Sequence, residues 1–482
     1  MAPVELLALD EDQILQICFF LTPGDAVRAQ RSSKAGSLAQ AAASQRLWAA
    51  HASRVFGLCG ETSCCGPCGE HGEHPGQAED WQSAFSLWEA AAREVGLPAA
   101  EVTVAQGLLP GARWIAVWRQ MRRWLGKHFP EVDRTLRPPV DPSVVAELEE
   151  MGFGPVAPAV VGCWLVFDGQ DAAVDSLADE LEMPLRSEDA DWSHGLFGGY
   201  AAYDHEVSTI LLPLKAALRL TLLLQDRIPA LKTSHPTKLA FACSFNFSKI
   251  LLVDVTDGSV FAWTRRPTPL IEPACPASDA ESADGLLRWV EEYARRLYSD
   301  IYKPISLRSE LAPVNRGICL FPMSGPDLSV CVTRGVEVAA CCVYMPEHPQ
   351  GWTYSITFRL VASPEERGFK TCQLQARHWE ISEGDAEPEH VRGEGVIGFF
   401  PILTDGGWIL NKESDPHQQY AGPHRLMQEA FRYQSCSGRR AGMRGTFGGS
   451  LTFVPGTIRS PTGSPFEVRM EPFGLFIPEF VF

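Results

Sequence analysis

A chain of 482 residues exceeds what one ordinary hydrophobic core holds, so roughly two to four domains are expected. Its 45% hydrophobic and 21% charged residues are those of a globular protein. A formal net charge of −17 excludes the basic footprint that nucleic acid or an anionic membrane surface would need.

The sequence opens MAPVELLALDED, with acids early and no cationic segment before a long apolar stretch, so no presequence is expected. The greasiest later stretch, Leu211 to Leu224, is broken by Lys215 and Arg219 and is too short and too charged to span a bilayer. Of the 14 cysteines, Cys163, Cys243, Cys331 and Cys372 sit singly in apolar, strand-like contexts, as small buried hydrophobes do. Reduced thiols in the cytoplasm or nucleus are the simplest expectation.

Residues 1–58 read as helical. Asp10 and Gln13 form a capping pair before Ile14, Leu15, Ile17, Cys18, Phe19, Phe20 and Leu21. A short helix that is apolar nearly all round needs cover on more than one side, from a large core or from a partner. Thr22-Pro23-Gly24-Asp25 ends this helix and starts another, and an alanine-rich helix and Arg46-Leu47-Trp48 follow. The order resembles the F-box motif, with Leu9 opening it and Leu47-Trp48 closing it. Asp10 stands where that family has Pro, and Gly36 where it has Trp. The resemblance implies docking on a Skp adaptor, and through it on a cullin and a RING subunit. The adaptor-facing residues would be Leu9, Ile14, Leu15, Ile17, Phe20, Leu21 and Pro23.

Residues 59–79 form a Cys/His/Gly-rich insert or linker. Cys65, Cys68, His71 and His74 have the donors for tetrahedral zinc, but the spacing is compressed and no apolar shell surrounds it. A linker without metal is therefore the expectation, a zinc site the alternative, and no cofactor is expected.

Residues 80–305 alternate helices and strands. Trp81, Phe85, Leu87 and Trp88 mark one helix. Trp114 to Leu125 mark another, with Arg119, Arg122 and Arg123 on its wet side. Pro138-Pro139 breaks the chain, and Asp141-Pro142 starts the next helix. Strands follow at Leu239 to Ser244 and Lys249 to Val255, with a hairpin at Asp257-Gly258 before Ser259 to Thr264, and a helix from Leu286 to Leu297 closes the unit. WRQMRRWL (118–125), FDGQD (167–171), GLFGG (195–199) and KILLVDVTDG (249–258) resemble the Smi/Knr (SUKH) domain, which implies an α/β binding module without a shared catalytic centre.

Residues 316–482 read as antiparallel strands. Apolar residues alternate at Leu328, Val330 and Val332, at Val336 and Val338, and at Tyr354, Ile356 and Phe358. Parity slips between Ala376 and Trp379, predicting a bulge near His378. WTYSITFRL (352–360), CQLQARHWEI (372–381), VRGEGVIGFFPIL (391–403), FRYQSC (431–436), GGSLTFVP (448–455) and FGLFIPEF (473–480) resemble the ApaG family. The resemblance implies an Ig/fibronectin-III-like β-sandwich. Gly393-x-Gly395-x-x-Gly398 matches a phosphate-loop pattern, but Val396, Ile397, Phe399 and Phe400 are expected to continue as strand, with no helix N-terminus to hold a phosphate. His378 is expected to be structural. No nucleophile elbow, Walker loop or zincin pair is present; His205-Glu206 lacks the second His.

The expected architecture is multidomain α+β: a three-helix F-box, a central α/β SUKH-like domain and a C-terminal antiparallel sandwich. This order resembles the F-box only protein 3 family. It implies a non-catalytic substrate-recognition subunit of an SCF ubiquitin ligase that binds protein targets but neither nucleic acid nor membrane. Trp352 and Trp408 are candidate exposed target contacts. An adaptor-free scaffold and a pyrophosphate-binding protein are the alternatives.

Overall fold

The computed structural model describes residues 23–32, 37–56, 81–94, 111–153, 156–171, 194–203, 205–227, 231, 237–264, 270–277, 283–307, 316–383, 387–410, 425–427, 430–438 and 445–482. Among the described residues three helices come first: Pro23–Ser32, Ser37–Ala42 and Gln45–Phe56. Pro23 begins its helix where the missing N–H would have no partner anyway. Leu47 and Trp48 are buried in the first turn of the third helix, and the Trp48 indole N–H donates to Ala42 O at 3.0 Å. The Trp48 ring meets Phe85 at 5.4 Å, fastening these helices to Trp81–Glu94. Glu94 in turn accepts from Arg119 at 2.6 Å and from Arg123 at 2.5 Å. Two of the three expected solvent-facing arginines are therefore ion-paired to the preceding helix Trp81–Glu94. Burial opposes ionisation of Glu94, but these guanidinium bonds hold its pKa below the usual value.

Helix Ala112–His128 buries Trp114, Trp118, Met121 and Leu125. Asp141 caps helix Pro142–Glu150 by accepting from Ser143 N at 2.9 Å. The Trp164 to Val166 run ends a buried helix, Pro158–Val166, so Cys163 lies on a helix and not on a strand. The apolar run suited either element; its Pro at the first position decided for helix.

An eight-stranded sheet follows: β1 (Gly199–Ala202), β2 (His205–Leu211), β3 (Lys238–Ser244), β4 (Ile250–Asp254), β5 (Val260–Thr264), β6 (Leu270–Pro273), β7 (Lys303–Ser306) and β8 (Arg316–Cys319). Its order is β6-β5-β4-β3-β2-β1-β8-β7, antiparallel at every pairing except β1–β8. The layer is thus α+β and not a wound α/β sheet. Strand β8 pairs here although its sequence falls in the segment read as C-terminal. Trp289 of helix Gly285–Tyr298 packs on Phe197 at 4.7 Å and Phe241 at 5.5 Å, which seats that helix on the sheet.

The C-terminal sandwich contains β9 (Ser329–Thr333), β10 (Val336–Tyr344), β11 (Gly351–Leu360), β12 (Cys372–Glu383), β13 (Glu389–Glu394), β14 (Ile402–Thr404), β15 (Gly407–Leu410), β16 (Arg425–Met427), β17 (Phe431–Gly438), β18 (Gly445–Pro455) and β19 (Phe466–Leu475). One sheet runs β17-β11-β10-β9. The other runs β16-β15-β14-β12-β18-β19, with β13 on β12. Aromatic contacts between the sheets, Tyr354–Phe447 at 4.7 Å and Phe358–Phe453 at 5.6 Å, fill the core. Val336, Val338, Ile356 and Phe358 face inward as the alternation requires. Val330 and Val332 do not: they are 48% and 53% exposed. Period two fixes that they share a face, but on edge strand β9 that face is outward.

The middle sheet and the sandwich share a buried seam. Val481 N donates to Ala274 O at 2.9 Å, and the Trp289 indole donates to Val481 O at 2.9 Å. Phe482 is enclosed by the rings of Trp289, Tyr293 and Tyr302.

Candidate binding site

A cavity of about 240 Å³ opens along this seam. Arg296 and Tyr302 reach it from the middle unit, Tyr344, Phe476 and Phe480 from the sandwich, and Asp327 from the connection between them. Arg296 is held rigidly: it donates to Glu292 Oε1 and to the Tyr302 hydroxyl, both at 2.7 Å, and lies over the Phe482 ring at 5.0 Å. Phe476 and Ile477 extend outward, 49% and 43% exposed. The lining thus combines aromatic walls, the fixed Arg296 guanidinium, the Asp327 carboxylate and an apolar rim. The side chains that could serve as nucleophiles are engaged: Ser329 Oγ donates to Glu471 O at 2.6 Å, and Cys342 Sγ contacts Gly474 O at 3.2 Å. Burial pushes the Cys342 thiol up to about 12.

The second feature is the glycine loop. Gly393 is the penultimate residue of β13, and residues 396–399 form a tight turn closed by a Val396–Phe399 bridge, where continued strand had been expected. Positive φ at Ile397 (44°) and Gly398 (86°) makes the chain reverse. Gly395 has φ 54°, and a Cβ there would lie 2.5 Å from Phe399 O. Its N–H donates to Gln375 O at 2.9 Å, while the Val396 and Phe399 amides pair with each other's carbonyls. Arg377 Nη1 donates to Glu394 O and Gly395 O at 3.0 and 2.8 Å. Gln375 sits at a register shift between Leu374 and Ala376. The bulge thus falls three residues before the expected position at His378, and its carbonyl anchors the loop.

Other sequence-derived candidates are placed as follows. Leu9, Ile14, Leu15, Ile17, Phe20 and Leu21 lie outside the described residues, as do Cys65, Cys68, His71 and His74; Pro23 starts its helix. Trp352 and Trp408, expected as exposed contacts, are buried at 0% and 2%. Trp352 packs on Tyr344 at 5.3 Å and Trp408 on Phe431 at 5.0 Å, because both side chains point between the sheets. The cluster of Tyr200, His205, Lys249 and Glu347 at the seam was missed. Its members are far apart in sequence and form no local motif. Among the described residues no helix is long and apolar enough to cross a membrane.

Helices leading into a sheet-based middle unit and a two-sheet sandwich, with a cleft at the last seam, define a multidomain α+β protein. Residues 346–408 match the ApaG domain family (DUF525). The chain is 31% identical to F-box protein SKIP16 of Arabidopsis thaliana over 76% of its own length and 79% of that protein's. It is 32% identical to Protein ApaG of Bradyrhizobium sp. over 23% of this chain and 82% of that one, and 32% identical to human F-box only protein 3 over 16% and 17%. The chain belongs to the family of F-box proteins that carry a C-terminal ApaG domain.

Proposed function

We propose that this chain is a substrate-receptor subunit of an SCF-type ubiquitin ligase. The supporting observation is the relationship to an F-box protein across 79% of that protein's length. In this reading residues 1–58 are the F-box, with Leu9, Ile14, Leu15, Ile17, Phe20, Leu21 and Pro23 facing a Skp adaptor that leads to a cullin and a RING subunit. Residues 80–305 act as a SUKH-type module, and with the ApaG domain they hold the target. The chain performs no chemistry of its own: ubiquitin transfer gains effective concentration because receptor and ligase are tethered.

The cleft containing Arg296, Tyr344 and Phe476 is the proposed target face. Its cation and aromatic walls favour a segment with an acidic or carbonyl acceptor next to an apolar side chain. Co-purification of the full chain with the Skp adaptor tests the ligase reading, with Leu15→Asp as the control that abolishes it. Folded full-length protein that recovers no adaptor rejects the ligase role. Target capture by wild type, set against Phe476→Ala and Arg296→Ala, tests the cleft separately.

A further inference from the structure

Strand β12 runs through the centre of its sheet, with β13 on one side and β18 on the other. Alternation sends Trp379 inward, where it is 4% exposed and meets Phe447 at 5.5 Å. His378 and Glu380 are thereby forced onto the outer face. Register pairs Glu380 with His390 and His378 with Arg392 across β13, so His390 lies directly opposite Glu380 and diagonal to His378. His378 Nε2 lies 3.0 Å from His390 Nδ1, and His390 Nδ1 lies 4.0 Å from Glu380 Oε1. All three ligand atoms fall within 4.8 Å of one another. Donors on a tetrahedral zinc ion with bonds of about 2.0–2.1 Å stand about 3.3 Å apart, so small side-chain rotations complete the geometry.

We propose that His378, Glu380 and His390 bind a divalent ion of the zinc class. Two imidazoles and one carboxylate supply three ligands, and the open outer face leaves a fourth position to water. The set rests on backbone that has little room to shift. Gly449 of β18 approaches so closely that a Cβ there would lie 2.1 Å from His378 O. A strand-based platform of this kind pre-organises a site better than a loop does. The imidazole nitrogens face each other at 3.0 Å, and an ion bound there needs a lone pair from each. The charged neighbours by register are Arg392, opposite His378, and Glu394, opposite Ala376; the flanking β18 positions are Ser450 and Gly448. This site is independent of the ligase reading.

The test uses full-length protein in which Cys59, Cys64, Cys65 and Cys68 are replaced by Ser, which removes thiolate ligands as a competing source of zinc binding. Calorimetry with zinc chloride at neutral pH should show one equivalent bound. His390→Ala and His378→Ala should each abolish that equivalent, and Glu380→Gln should weaken it. Cobalt(II) should give a tetrahedral visible spectrum, while magnesium and calcium should not compete. The three side chains lie at the outer face, so circular dichroism of the variants should match the parent. Absence of zinc uptake in the parent, or uptake unchanged after both histidines are replaced, overturns the assignment.

Discussion

Glu347 Oε1 lies 2.8 Å from His205 Nε2 across the seam between the sandwich and the middle sheet, and the Tyr200 hydroxyl donates to the same oxygen at 2.5 Å. Lys249, fully buried, donates to the Phe482 main-chain oxygen and lies over the Tyr200 ring at 5.0 Å. A buried carboxylate and a buried ammonium thus share one enclosure. Burial alone would raise the Glu347 pKa, but the His205 bond, the Lys249 charge and the Tyr200 bond outweigh it and leave the pKa lowered. Burial lowers the Lys249 pKa, and Glu347 opposes that shift.

Removing the carboxylate takes the shared acceptor from the Tyr200 hydroxyl and His205 and the opposing charge from buried Lys249, which keeps its bond to the Phe482 oxygen. Glu347→Ala should destabilise the protein by about 3–5 kcal/mol in urea unfolding at neutral pH. A difference below about 1 kcal/mol would show that the pair does not hold the seam. A carboxylate with a lowered folded pKa stabilises at pH above its unfolded value and loses that contribution as pH falls through the folded one. The gap between wild type and Glu347→Gln should therefore be full above the ordinary value of 4.5 and shrink below it.

Phe482 fills a socket made by Trp289, Tyr293 and Tyr302, and it is 4% exposed. Phe482→Ala should cost about 3–5 kcal/mol, as large-to-small changes in packed cores do. Phe476→Ala, at the exposed cleft rim, should leave the melting temperature unchanged. Comparable loss in both variants would mean that the rim is structural.

Ile397 is β-branched and has φ 44°, a left-handed conformation that side chains of this shape resist by about 1–2 kcal/mol. Ile397→Asn should raise stability by about 1 kcal/mol, since Asn tolerates that conformation and the side chain is 36% exposed. Equal or lower stability, read from denaturant midpoints at constant m-value, would contradict strain at the turn.

Cys163, Cys243, Cys319, Cys341 and Cys372 are buried, and burial drives each thiol's pKa upward, to about 12 for Cys372. The thiolate is the reactive form. Iodoacetamide followed by peptide mass mapping should leave these five unlabelled in the folded protein and label them in denaturant. Native labelling of any of them would signal local opening.

Much of the architecture was legible from local patterns. Asp141-Pro142 marked its helix because a cap and a first-turn proline act within three residues. Asp257-Gly258 marked its hairpin because a positive φ is a local demand, met by Gly258 at 72°. The ApaG peptides were legible through their resemblance to that family, while alternation marked only their strands. Positions that depend on facing were not. Trp352 and Trp408 looked like contact residues because composition favours tryptophan at interfaces, and only the second sheet reveals that it covers them. Val330 and Val332 failed in the opposite direction, since alternation assigns residues to a common face without saying which face is wet.

The sequence by itself determined the helix that Asp141-Pro142 starts and the hairpin at Asp257-Gly258, because capping and turn chemistry are short-range forces, and its resemblance to known families put an F-box-like start before an ApaG-like end. Only the tertiary structure decided that β8 joins the middle sheet, that Glu347 meets Tyr200, His205 and Lys249, and that His378, Glu380 and His390 converge. Those outcomes depend on strand register and on burial between layers, which bring together residues that exert no influence on each other along the chain.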